Sequence, residues 1–179
     1  VTDKGAVTNL TVLPPQPVTF TSQMAAALAE MFGMSPADTE CLAGATYAFE
    51  PVPTDVEVAP DGSLWVTVLP GGVESPIFGA NGSVYKVNPN TGQASLVSRG
   101  FLGATNLAVA PDGTVYVTEL FGGKVSKLTR NGAIGTVAEV PNAVSVEVHG
   151  GYLYVGTMAD IDFETGQMNG PGSIMRLKR

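Results

Sequence analysis

The sequence predicts an all-β chain: about three four-stranded β-propeller blades, half of a six-bladed ring, with a short helical insertion. Three observations predict it. The stretch Thr105–Leu120, TNLAVAPDGTVYVTEL, sets Leu107 and Val109 against Ala108 and Ala110, turns at Pro111-Asp112-Gly113, and resumes as Val115-Tyr116-Val117-Thr118. That is strand, tight turn, strand, with alternation before the turn and β-branched and aromatic residues after it. The unit recurs around Pro60-Asp61-Gly62 and around His149-Gly150-Gly151. Lastly, the 22 glycines and 13 prolines sit at regular turn positions, which marks many short strands rather than low complexity.

Each segment has its own reason. Thr2-Asp3-Lys4-Gly5-Ala6-Val7 lines up with Thr129-Arg130-Asn131-Gly132-Ala133-Ile134, a glycine-closed turn leading into a strand. Residues 1–13 therefore read as the end of a preceding blade, with Ala6–Leu13 as its orphan outer strand. Pro14-Pro15-Gln16-Pro17 stops that strand, because proline cannot donate to a ladder. Residues 14–50 read as a helical insertion. Met24, Leu28, Met31 and Phe32 share one helix face, Ser22 stands at the N-cap and Gly33 beyond the C-terminus. Ser35-Pro36-Ala37-Asp38 opens a second, shorter helix. The methionine-rich face reads as packing rather than as a cofactor site.

Three repeats follow, over 51–100, 101–140 and 141–179. Their strands are Thr54–Ala59, Ser63–Leu69, Ser83–Asn88 and Gln93–Arg99; then Thr105–Ala110, Thr114–Leu120, Lys124–Thr129 and Ala133–Val140; then Val144–His149, Tyr152–Thr157 and Ser173–Lys178. The third repeat is incomplete. Three blades do not close a ring, since the smallest have about four. A homodimer or a companion N-terminal half is therefore expected to complete the propeller.

These residues resemble the NHL-type propeller superfamily and, more closely, the ScyD/ScyE family of bacterial propeller proteins. The segments that carry the resemblance are VLPPQPV (12–18), TYAFEPVPTDVEVAPDG (46–62), GSVYKVNPNTG (82–92) and FLGATNLAVAPDGTVYVTELFGG (101–123). The resemblance implies a propeller fold and secretion, and a parent length about twice this one. It carries over no catalytic residue.

The charge of −7 argues against a nucleic-acid partner, which needs a basic patch. No apolar run reaches the length of a membrane span. Cys41 stands alone and reads as a small buried apolar residue or the partner of a cysteine outside this chain. His149, the one histidine, falls in an exposed tight turn, which removes the usual general base.

Short turns share one end of the repeats. The insertion 14–50 and the loops 70–82 and 158–172 share the other, where ligand binding usually sits. The innermost strands carry the polar candidates. Asp55, Asn106 and Ser145 hold equivalent positions, with Glu57 and Glu147 two residues on and Ala108 between them. Glu119 ends a second strand and is a candidate at the rim. These six are the candidate ligand-binding residues; no catalytic residue and no metal ligand is assigned. Asp160, Asp162 and Glu164 alternate as oxygen ligands of calcium would, but the stretch lacks the glycine spacing of a calcium-hand loop and reads first as a solvated acidic loop. The expected function is a secreted binding or scaffold propeller for a small-molecule or protein ligand. The alternative is a metal-assisted lactonase or lyase with acids at the channel mouth.

Overall fold

The computed structural model describes residues 5, 7–129, 131–162 and 165–179. In chain order these form β1 (Gln16–Thr19), α1 (Ser22–Met31), α2 (Pro36–Thr39), β2 (Thr46–Phe49), β3 (Pro51–Val58), β4 (Leu64–Pro70), β5 (Gly82–Val87), β6 (Ala94–Phe101), β7 (Ala104–Val109) and β8 (Val115–Glu119). Then come β9 (Lys124–Leu128), β10 (Ile134–Glu139), β11 (Ala143–His149), β12 (Tyr152–Thr157), β13 (Asp160–Ile161), β14 (Met168–Gly170) and β15 (Ser173–Lys178). Three antiparallel sheets result, ordered β3-β4-β5-β6, β7-β8-β9-β10 and β11-β12-β15. Each is a meander: the short turns, and the longer connections from β4 to β5 and from β12 to β15, return the chain beside the strand it left.

The repeated turn closes the same way twice. Ala59 N–H donates to the Ser63 carbonyl at 2.8 Å, and Ala110 N–H to the Thr114 carbonyl at 2.8 Å. The Asp61 and Asp112 carboxylates each accept the N–H two residues on, both at 3.0 Å. Proline and aspartate thus fix the bend that the sequence marks.

The sheets pack face against face. Between the first and second lie Val84, Phe101, Leu107, Val115 and Val117, with Trp65 and Val97 against them. Between the second and third lie Ala108, Tyr116, Val125, Val146, Leu153 and Val155. A third cluster places Leu13 on the far face of the first sheet, against Val66, Val68, Tyr85 and Val87.

The N-terminal segment departs from expectation. No strand forms over 7–13, and Ala6 lies outside the described residues. An outer strand needs a ladder partner, and among the described residues no strand pairs with this segment. The insertion is more than helical: β1 pairs with β2 as a separate ribbon, Gln16 opposite Phe49 through Thr19 opposite Thr46. Thr21, not Ser22, caps α1, its hydroxyl accepting Met24 N–H at 3.1 Å. Met24 and Leu28 pack inward with Phe20, Phe49 and Phe78, whereas Met31 and Phe32 are exposed. The close face of the helix is instead the small pair Ala25 and Ala29. Cys41 is exposed, because the short turn that carries it packs on α1 through other residues. No helix among the described residues is long and apolar enough to cross a membrane.

Candidate functional site

The innermost strands β3, β7 and β11 each carry an irregularity at one equivalent place, between Pro53 and Asp55, Ala104 and Asn106, and Ala143 and Ser145. An extra residue there bends the strand and re-aims the next side chain. Asp55 then reaches the neighbouring sheet, its Oδ2 accepting Leu107 N–H at 2.9 Å. Asn106 repeats this one sheet further on, its Oδ1 accepting Val146 N–H at 2.6 Å. Thr54, in the first irregularity, donates to the Ala104 carbonyl at 3.0 Å. Two of the six candidates are therefore staples between sheets. Ser145 holds the third such position and is exposed.

Glu119 is 1% exposed and does not stand at an open rim. It accepts Leu102 N–H at 2.7 Å and the Ser126 hydroxyl at 2.5 Å, with Lys124 Nζ 3.7 Å away. Those bonds tie the entry to β7 to the β8–β9 turn.

Glu57 and Glu147 remain. Glu57 lies opposite Trp65 and Glu147 opposite Tyr154, so both sit toward the short-turn end of their strands. Each strand residue advances about 3.3 Å, so two residues beyond Asp55 leave the loop-rich mouth about 7 Å behind. The channel mouth is thus not where the acids gather. Partial burial raises the Glu57 pKa above 4.5, and the charges of Glu147 and then Asp55 raise it further. Glu147 is exposed.

Among the described residues, no group of three or more His, Cys, Asp or Glu side chains is placed to hold a metal ion. The acidic stretch 160–164 opens a hairpin: β13 pairs with β14, and Asp162 Oδ1 accepts Thr165 N–H at 3.1 Å. Glu164 lies outside the described residues. His149 is exposed at the short-turn end.

Two features of the loop-rich end were not legible in the sequence. Gln16 is fully buried, its amide donating to the Pro14 carbonyl at 2.8 Å and the Tyr85 hydroxyl at 3.2 Å. Its carbonyl accepts from Ser83 at 3.0 Å and Arg99 Nη2 at 2.8 Å. Arg99 also donates to the Pro17 carbonyl at 3.1 Å. This network fastens the ribbon to the first sheet. Beyond it lies a cavity of about 150 Å³ lined by Val18, Phe20, Leu28, Phe49, Val73 and Phe78, with Gly71 and Gly72 at its wall. Phe20 stacks on Phe49 with ring centroids 6.1 Å apart and meets Phe78 edge-on at 5.8 Å. A run of phenylalanines around the insertion was the one available signal.

No protein-family model matches the chain, and no curated protein sequence matches it. Solved structures do. The luciferin-regenerating enzyme aligns with a TM-score of 0.51 at 17% identity, over 72% of this chain and 46% of that one. Regucalcin from Agrobacterium tumefaciens, a calcium-binding protein, aligns at 0.50 and 15%, over 69% and 44%. A chain of the nidogen/laminin complex aligns at 0.50 and 16%, over 63% and 44%. These neighbours are β-propeller proteins. The fold is that of propeller blades. The chain spans somewhat under half the length of these three structures.

Proposed function

We propose that this chain is a ligand-binding propeller rather than a catalyst, and that its ligand seats at the loop-rich end. The observation that carries this is the aromatic cavity between the insertion and the loop after β4. Its side chains are apolar, and three rings supply flat faces for a small aromatic or aliphatic group. A cavity of about 150 Å³ lined by apolar residues is enough for a benzene-sized ring. Asp55, Asn106 and Glu119, which could have served a reaction, each hold a backbone N–H with one side-chain oxygen. The fold does not choose a function, since its neighbours include an enzyme and a calcium-binding protein. The resemblance to the ScyD/ScyE family supports action outside the cell.

A ligand that binds only the folded state raises the melting temperature with its concentration. Benzene and phenol are the probes. The expected result is a saturable rise that Val73→Trp, which fills the cavity, removes. Absence of a rise with either ring refutes the reading.

The alternative of a metal-assisted lactonase or lyase rests on Glu57 and Glu147, whose mutual repulsion a cation would relieve. Calcium titration followed by calorimetry tests it. Heat of binding that E57Q and E147Q both abolish supports it, and no heat sinks it.

A further inference from the structure

We infer that the ring held in the aromatic cavity carries an ammonium group on a short stem, and that Glu50 selects that charge; this rests on the reading of the cavity as a ring-binding site. The lining side chains Val18, Phe20, Leu28, Phe49, Val73 and Phe78 offer no hydrogen bond. Any polar group attached to the ring is therefore recognised at the edge of the cavity, by residues next to the lining.

Two consecutive glycines bring Glu50 to the cavity wall. Glu50 is the single residue between β2 and β3, and its carbonyl accepts Gly71 N–H at 2.8 Å. Gly71 and Gly72 both line the cavity. A Cβ at Gly72 would strike the Phe49 ring, and a Cβ at Gly71 would strike the Glu50 side chain, with Glu50 Oε1 2.9 Å away. Glycine permits both approaches. The pair thus seats a ring of the lining on one residue and the stem of a carboxylate on the next. Glu50 is exposed, and among the described residues its carboxylate makes no hydrogen bond and no ion pair. Glu74, which follows the lining residue Val73, is exposed too.

The charge around this site has one sign. Residues 5–85, which include the insertion, its ribbon and strands β3 and β4, contain eight Asp and Glu and no Lys, Arg or His. The other positions hold all nine Lys and Arg against eight acids. Two basic residues complete the first sheet, and both are engaged. Lys86 pairs with Asp61 at 2.8 Å, and Arg99 gives its N–H groups to Gln16, Pro17 and Ser83. A cleft bordered by one sign of charge concentrates the opposite ion and repels its own. The negative faces of the phenylalanine rings act in the same sense. A ring bearing a carboxylate is therefore disfavoured, and an uncharged one gains nothing beyond the lining.

Melting-temperature titrations at matched low ionic strength test this, with 2-phenylethylammonium, 2-phenylethanol and phenylacetate as probes of one size. The ammonium probe should bind about two- to fivefold tighter than the alcohol, the scale of an exposed ion pair, and phenylacetate more weakly than the alcohol. The advantage should fade in about 1 M salt. Glu50→Gln should shrink it and leave the alcohol's affinity unchanged. Glu139→Gln, at an exposed position on β10, should leave it intact. Val73→Trp should remove the binding of both probes. Ammonium and alcohol bound alike, phenylacetate bound tightest, or an advantage untouched by Glu50→Gln overturns charge selection by Glu50 and leaves the ring-binding reading standing. An ammonium effect that survives Val73→Trp overturns it too, because the general surface charge then holds the probe. No response to any of the three overturns both.

Discussion

Replacing Asp55 separates a structural staple from a ligand-binding or catalytic acid. Its Oδ2 accepts Leu107 N–H at 2.9 Å across the boundary between the first two sheets. Alanine removes that acceptor and leaves the amide of a fully buried residue without its partner. Loss of a hydrogen bond to a charged group costs about 1.5–3 kcal/mol. Asp55 is half-buried, so water reaches the vacated amide and the lower end, about 1.5 kcal/mol, applies. For a chain of this size that is a fall in melting temperature of about 3–6 °C. Asn106 does the same work one sheet on at 2.6 Å, so asparagine is an adequate acceptor within this fold. Asp55→Asn should therefore melt within about 1 °C of the parent. The assay is calorimetric melting of the three proteins at one concentration, since any association shifts the midpoint. If Asp55→Asn loses as much as Asp55→Ala, or if alanine costs nothing, the staple reading is refuted.

Glu119→Leu should cost about 3–5 kcal/mol by urea unfolding, because it strands the Lys124 ammonium, the Ser126 hydroxyl and the Leu102 amide around a buried position; Glu119→Gln should cost less. Glu57 has a raised folded-state pKa from burial, Glu147 and Asp55 in that order, so the folded state holds its proton longer than the unfolded chain does. Its stability penalty is absent below the unfolded value near 4.5, grows as pH rises, and is complete above the folded value. Urea midpoints of Glu57→Gln and the parent should thus coincide at the acid end and diverge in favour of the variant toward neutrality. Glu147→Gln should lower the Glu57 midpoint in an NMR titration. Gln16→Leu should leave Ser83 and Arg99 without their shared acceptor and lower stability by about 1–3 kcal/mol, with faster protease cleavage of the insertion.

The three repeats, their strands and their turns follow from residue order alone. Those are local matters: Pro60-Asp61-Gly62 and Pro111-Asp112-Gly113 set the bend, and the alternation in Leu107–Ala110 sets which side is buried. The use of the polar residues, by contrast, is settled by contacts across the fold. Asp55, Asn106 and Glu119 look like free acids and amides along the chain, because the N–H groups they accept belong to other strands and other sheets. A single added residue at each inner-strand irregularity aims Asp55 and Asn106, and an irregularity leaves almost no mark in residue type. The Gln16 network was hidden for the same reason, its partners lying 67 and 83 positions away. The segment 7–13 shows the converse. Its sequence is that of a strand, but strand formation needs hydrogen bonds to a neighbour, and a neighbour is supplied only by tertiary or quaternary structure.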